Sequence, residues 1–234
     1  MTTTPTDQDP MVEALRRAVE GSPADKIPRW IHAIMTSSEA PIGQTPKKVV
    51  WTKNKARLYR YVGESPPRYK TPILLVFALI NRPYVFDLRP GHSFVEYLLK
   101  QGFDVYLLDW GVPGDEDRHL TIDDYVGDYL RRAVRKVCRT SGADSLSIVG
   151  YCIGGTLTAC YVSLFPQAIR NVVLLTAPID FAEAGRFGLW TDKRYYDVDK
   201  LVDTLGNVPG RVIDFGAKLL NPVVNTAGTY VIRS

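Results

Sequence analysis

Apolar and polar residues follow several different periodicities along this chain of 234 residues. Four short segments are almost continuously apolar, which is typical of strands that are buried on both faces of a parallel sheet. These segments are residues 72–80, 103–109, 146–150 and 171–177. Segments with helical spacing lie between them, at residues 93–101, 121–140 and 153–165. This alternation predicts right-handed crossovers and an α/β fold with a mostly parallel sheet.

The helix predicted over residues 121–140 has the clearest pattern. Its apolar residues recur at spacings of three and four, and they form one stripe from Ile122 to Cys138. Thr121 and Asp124 suit a capping box at the start of this helix, and basic residues near its other end favour the negative end of the helix dipole. Upstream, a period of two over residues 47–63 predicts an antiparallel strand pair around a turn at Asn54.

These patterns divide the chain into three predicted regions. Residues 1–44 begin with a polar stretch and continue with two short apolar faces at helical spacing, so we expect helices on the edge of the domain. Residues 45–180 hold the α/β core. After Asp180 the strand pattern gives way to aromatic, glycine-punctuated and helical pieces. Residues 181–234 are therefore expected to begin a cap, or lid, over the sheet.

Composition excludes several classes of protein. With 45% hydrophobic and 23% charged residues, the chain is expected to be globular and to bury a substantial core. The longest apolar run has eight residues, whereas a bilayer span needs roughly 20. No basic stretch precedes an apolar leader, so we expect a cytoplasmic protein without a membrane span.

A net charge of +4 is too small to indicate that the chain binds nucleic acid. Residues 41–70 carry eight basic residues and only Glu64 as an acid, which fits a solvated strand pair or an attraction to an anionic ligand or surface.

The three cysteines are Cys138, Cys152 and Cys160, and no two of them form a Cys-x-x-Cys pair. They fit neither a disulfide framework nor a zinc site, and we expect no metal and no cofactor. Cys138 closes the apolar stripe, and Cys160 lies two turns into the helix that follows Cys152, so both are interpreted as core residues.

Cys152 lies in the segment Gly150-Tyr151-Cys152-Ile153-Gly154, which follows an apolar strand and opens a helix. This context is typical of a nucleophile elbow, here with cysteine in place of serine. A thiolate at a helix N-terminus is a competent nucleophile for thioesters. The amide of Ile153 would supply one oxyanion donor, and the loop near Ile80 and Asn81 would supply the other. The alternative is a small buried cysteine at a tight turn.

Several further segments resemble those of the polyhydroxyalkanoate synthases, in the same order along the chain. They are ALINRPYVFDL (78–88), DVYLLDWG (104–111), DRHLTIDDYV (117–126), GYCIGG (150–155), TAPIDF (176–181) and VDTLGNVPG (202–210). The resemblance covers residues 45–234 and is closest to short catalytic subunits of that family. It implies an α/β-hydrolase fold in which Cys152 accepts hydroxyacyl groups from 3-hydroxyacyl-CoA, releases CoA and carries the growing polyester. It also implies a homodimer, a non-catalytic partner subunit and a place at the polymer granule surface.

The acid and base of that family are not found in this sequence. His32, His92 and His119 all precede Cys152, whereas the hydrolase-fold order places the base after the nucleophile. Asp109 and Asp180 follow strands and are interpreted as loop hydrogen-bonding residues. We therefore expect the N-terminal part of a longer synthase that lacks the last strands, with poor solubility on its own. Two alternatives stay open: a cysteine-nucleophile hydrolase of the thioester or dienelactone type, and an inactive truncated synthase that binds granules or a partner subunit.

Overall fold

A computed structural model describes residues 42–182, 194, 197–208 and 210. The chain divides into two compact units, and the described residues other than Gly210 belong to the unit from Ile42 to Val208. The predicted N-terminal helices and most of the predicted cap lie outside the described residues.

The sheet has six strands, which are β1 (Lys47–Lys53), β2 (Ala56–Tyr61), β3 (Ile73–Val76), β6 (Val105–Asp109), β7 (Leu146–Tyr151) and β8 (Ile169–Leu175). They lie side by side in the order β1-β2-β6-β3-β7-β8. The first two pair in an antiparallel fashion, β2 pairs the same way with β6, and all later pairings are parallel. The predicted antiparallel pair and the mostly parallel α/β sheet are thus confirmed. A separate ladder of β4 (Asp87–Arg89) and β5 (His92–Ser93) has no counterpart in the sequence patterns.

Helices occupy the segments between the parallel strands. They are α1 (Phe94–Lys100), α2 (Arg131–Ser141), α3 (Ile153–Leu164) and, beyond β8, α4 (Val198–Leu205). A 3₁₀ turn at Pro83–Phe86 leads into β4, and a π-helical segment, Asp124–Leu130, leads into α2. None of the described helices combines the length and the apolar character that a bilayer crossing requires.

In the helix predicted over residues 121–140, the second half is the α-helix α2, whereas most of the first half is the π-helical segment. The predicted capping box is present, since both the amide and the hydroxyl of Thr121 donate to Asp124 Oδ2 at 2.8 Å. Val126 is buried as expected, but the interpretation of Ile122 as part of the buried stripe is wrong, because its side chain is 64% exposed. Ile122 lies in the first turn, before the π-helical segment, at the outer end of the stripe.

The core lies around the central strands. Leu74, Leu75 and Val76 of β3 are fully buried, as are Leu107 and Leu108 of β6. This confirms the prediction that these apolar runs are buried on both faces.

Strand β8 departs from that prediction. Its residues Val172, Val173 and Leu174 are 41–43% exposed. The reason is position, since β8 is the outermost strand on its side of the described sheet. In this chain, a continuous apolar run thus occurs in the outermost strand of the described sheet as well as in its buried central strands.

The basic residues of positions 41–70 are partly neutralised within the molecule. Lys55 pairs with Glu116 at 2.5 Å and with Asp117 at 2.8 Å. Arg60 binds Asp104 through two hydrogen bonds of 2.9 and 3.1 Å. These ion pairs favour the interpretation of a solvated strand pair over an anion-attracting surface.

Candidate active site

Cys152 lies between the end of β7 and the first residue of α3, which is the strand–turn–helix context that the sequence predicts. Its backbone has φ 55° and ψ −131°, a conformation that residues with a side chain rarely adopt. The amide of Cys152 donates to the carbonyl oxygen of Leu175 at 2.9 Å, and its own carbonyl accepts from the amide of Gly155 at 2.8 Å. The end of β8 and the first turn of α3 therefore hold this residue from both sides.

Glycines surround Cys152 because no side chain would fit at their positions. A Cβ added to Gly150 would lie 2.6 Å from the Cα of Gly155, and one added to Gly155 would lie 2.5 Å from the Cβ of Ala177. A Cβ added to Gly154 would lie 2.5 Å from the carbonyl oxygen of Val76 at the end of β3. These approaches let α3 begin directly against the ends of the neighbouring strands.

The Cys152 side chain is half-buried. Cys152 is the N-cap residue of the twelve-residue helix α3, and its side chain makes no capping hydrogen bond. The first amides of a helix have no partner within the helix, and that of Ile153 is the first in α3. Ile80 lies in the turn that follows β3, and its side chain is 63% exposed. The amide of Asn81 closes this turn by donating to the carbonyl oxygen of Ala78 at 3.0 Å. The roles of Ile153 and Ile80 as oxyanion donors remain predictions.

Aromatic rings stand beside the elbow, and the sequence patterns did not single them out. The ring of Tyr151, the residue before Cys152, lies edge-on to Phe86 with centroids 5.8 Å apart. Phe86 also lies 5.8 Å from Phe94, which is partly exposed. These contacts form a cluster of three rings, the apolar wall, which includes the residue before Cys152.

The buried carboxylate of Asp87 links the chain segments that carry Phe86 and Phe94. It accepts hydrogen bonds from the Thr45 hydroxyl at 2.6 Å, the Thr45 amide at 3.1 Å and the Ser93 hydroxyl at 2.7 Å. Sequence reasoning missed Asp87 because its partner Thr45 is 42 positions away and belongs to no motif.

The histidines show no link to the thiol. His92 lies in β5 and His119 beside Arg118, both with exposed side chains, whereas His32 lies outside the described residues. Across the part of the chain that the structure describes, no side chain forms a hydrogen bond with the sulfur of Cys152.

The two aspartates bind loop amides, as predicted. Asp109 Oδ1 accepts from the Gly111 amide at 3.0 Å, and Asp180 Oδ1 accepts from the Ala182 amide at 2.9 Å.

The other two cysteines differ from each other. Cys138 packs against the core, and burial raises the pKa of its thiol, which agrees with a structural role. The interpretation of Cys160 as a core residue is wrong, because its side chain is exposed. The buried residues of α3 are Gly154, Gly155, Leu157, Thr158 and Tyr161, and Cys160 is not among them.

Two known families match the chain. The alpha/beta hydrolase fold matches residues 72–208, and the N-terminal region of poly-beta-hydroxybutyrate polymerase (PhaC) matches residues 37–98. The second match covers the loop after β3, β4 and β5.

Curated relatives extend this similarity. The chain is 46% identical over 197 residues to the poly(3-hydroxyalkanoate) polymerase subunit PhaC of Haloferax mediterranei, covering 84% of this chain and 40% of that protein. It is 40% identical to the subunit of the same name from Synechocystis sp., with 81% of this chain and 51% of that protein covered. For the subunit from Thiocystis violacea the identity is 37%, with 88% and 58% covered. The chain thus spans about half the length of these relatives.

Proposed function

The chain belongs to the alpha/beta hydrolase fold family, and on that basis we propose that it carries the nucleophile of a poly(3-hydroxyalkanoate) polymerase, with Cys152 as that nucleophile. The observation that carries the proposal is the strained backbone of Cys152 at the β7–α3 turn, surrounded by glycines that leave no room for a side chain. The relatives named as polymerase subunits support the choice of reaction.

In the proposed reaction, the Cys152 thiolate attacks the thioester carbonyl of a 3-hydroxyacyl-CoA. The carbonyl oxygen becomes an oxyanion, which the amide of Ile153 and an amide near Ile80 stabilise. When the intermediate collapses, the carbon–sulfur bond to CoA breaks, CoA leaves as a thiolate, and the acyl group remains on Cys152. The thiol proton of Cys152 passes to solvent when the thiolate forms, and the departing CoA thiolate takes up a proton from solvent.

Polymerisation requires a second acyl transfer. The hydroxyl group of one acyl unit attacks the thioester carbonyl of another, so that an ester bond forms and a thiol is released. The apolar wall of Phe86, Phe94 and Tyr151 supports this step, because water reaching the acyl-enzyme would release a free hydroxy acid instead.

The test is to incubate the chain with 3-hydroxybutyryl-CoA and to measure CoA release, the intact protein mass and the products. We expect a hydroxyacyl adduct on the parent chain that is absent from Cys152→Ala. Cys160→Ala is the matched control, because Cys160 is an exposed thiol on the same helix, and this variant should keep the adduct. An adduct that persists in Cys152→Ala contradicts the proposal. Free hydroxy acid without polymer would favour the cysteine hydrolase.

We further propose that the protein works at the polymer granule surface, as a homodimer and with a non-catalytic partner subunit. The relatives are named as subunits of a polymerase, which supports the partner subunit. The exposed apolar residues of β8 offer a surface for contact with a polymer or another chain. In the same incubation, the chain should sediment with the polymer that it forms.

A further inference from the structure

Trp110 directly follows β6, and only 7% of this residue is exposed. The buried Nε1–H donates to the carbonyl oxygen of Phe77 at 2.7 Å. The ring also lies edge-on to Tyr125, with centroids 5.5 Å apart and an interplanar angle of 86°. A buried indole N–H needs a partner, and here that partner belongs to the residue that follows β3.

The same carbonyl group is in close contact with the elbow helix. A Cβ added to Gly154 would lie 2.6 Å from both the carbonyl carbon and the carbonyl oxygen of Phe77. The Phe77 carbonyl is therefore held between the indole of Trp110 and the first turn of α3.

This carbonyl begins the loop in which the second oxyanion donor is proposed. The loop runs from Phe77 to Ile80 and closes through the hydrogen bond from the Asn81 amide to the Ala78 carbonyl. Because a peptide unit is planar, the direction of the Phe77 carbonyl also fixes the direction of the Ala78 amide. Leu79, in the middle of the loop, lines the same pocket as Trp110.

We infer that Trp110 is a positioning residue, which holds the loop from Phe77 to Ile80 against the nucleophile elbow so that the loop amide points at the developing oxyanion. The inference rests on the proposed function for its catalytic consequence. Its structural part, the orientation of the loop, is measurable without catalysis.

The test compares two reactions of the same sulfur atom in the parent chain and in Trp110→Phe. Acylation of Cys152 by 3-hydroxybutyryl-CoA forms an oxyanion, whereas alkylation by iodoacetamide does not. We expect acylation to slow by about 10- to 100-fold, as for other misplaced oxyanion donors, with alkylation nearly unchanged. A residue with a merely structural role would slow both reactions together or neither, and either result would overturn the inference.

Tyr125→Leu is the matched control, because it removes an aromatic neighbour of Trp110 and leaves the bond to Phe77. It should keep the ratio of acylation to alkylation of the parent chain. Should Trp110→Phe fail to fold, 3-benzothienylalanine placed at position 110 keeps the bicyclic ring and removes only the N–H. The same change in ratio is then expected, and an unchanged ratio overturns the inference.

Hydrogen exchange separates this inference from the proposed function. If the parent chain is not acylated at all, the proposed function fails, and exchange at the Asn81 amide decides the role of Trp110. We expect this amide to exchange at least about 10-fold faster in Trp110→Phe than in the parent chain and in Tyr125→Leu, since it reports local opening of the turn. An equal exchange rate in all three proteins would show that Trp110 does not position the loop.

Discussion

Two residues with side chains adopt positive φ beside each other at the candidate site, Cys152 with φ 55° and Thr176 with φ 47°. Such a conformation costs about 1–3 kcal/mol, and it persists only where the surroundings determine the backbone. Here the hydrogen bond from the Cys152 amide to Leu175 ties the two strained turns together. Strain in both turns indicates that the sulfur is held in place by backbone contacts from β8 as well as from its own helix.

Of the glycines around Cys152, Gly154 leaves the least room for a side chain. In Gly154→Ala the methyl group would meet the backbone of Val76 and Phe77, which cannot move without displacing β3. We expect the free energy of unfolding to fall by more than about 2 kcal/mol, as measured by urea denaturation.

Gly127→Ala is the matched control for this substitution, because a Cβ at Gly127 meets nothing within 4 Å and the residue lies in a helical segment. It should leave stability unchanged or raise it by up to about 1 kcal/mol. Equal stability of Gly154→Ala and the parent chain would show that the close approach is not required.

At the scale of residues, the sequence predicts features that consecutive residues form and misses contacts between residues that are far apart in the chain. The elbow was predictable because its glycines, cysteine, strand and helix are consecutive. The hydrogen bonds of Trp110 to Phe77 and of Asp87 to Thr45 join residues 33 and 42 positions apart, and no spacing rule connects them. Cys160 was misplaced because helical spacing alone does not say which side of α3 faces the sheet.

At the scale of elements, the start of the α2 segment combines a predicted cap with an unpredicted π-helix. Period and capping residues identify where the helix begins and what stabilises it, but they cannot distinguish hydrogen bonds to the fifth residue from bonds to the fourth. The ladder of β4 and β5 was missed for a different reason. Strands of three and two residues are too short to show a period.

The cap of this helix gives it a pH-dependent stability. Hydrogen bonds from the Thr121 amide and hydroxyl hold the pKa of Asp124 below its ordinary value. A carboxylate with a depressed pKa in the folded state stabilises the protein above its unfolded pKa, and this contribution is lost as pH falls through the folded pKa. The parent chain should therefore be more stable than Asp124→Asn at pH 7, and the difference should vanish as pH falls well below about 4.

The measurement for this prediction is urea denaturation of both proteins across that pH range. Asp123→Asn is the control, because it removes the same charge at the neighbouring exposed position and leaves the bonds of Asp124 intact. A difference between parent and Asp124→Asn that does not depend on pH would contradict the assignment.

At the scale of the whole molecule, the two edges of the described sheet are unlike each other. Strand β1 carries three lysines, and its pairing with β2 is irregular between Val49 and Trp51. Lysines and irregular pairing are common protections of an edge strand against pairing with other chains. Strand β8 carries Arg170 near its start and then the run Val172 to Leu175 without a charge.

This asymmetry predicts that the chain associates with itself through β8. An exposed apolar strand at the edge of a sheet is a template for pairing with other chains, so we expect concentration-dependent oligomers in sedimentation velocity. Val173→Lys places a charge at a residue that is 43% exposed and should shift the population towards the monomer. Val49→Lys makes the same exchange on the opposite edge, at a residue that is 51% exposed, and should leave the oligomers unchanged because β1 is already protected. A parent chain that sediments as one monomeric species and unfolds cooperatively would contradict this prediction, because β8 would then be an edge that the molecule tolerates in water.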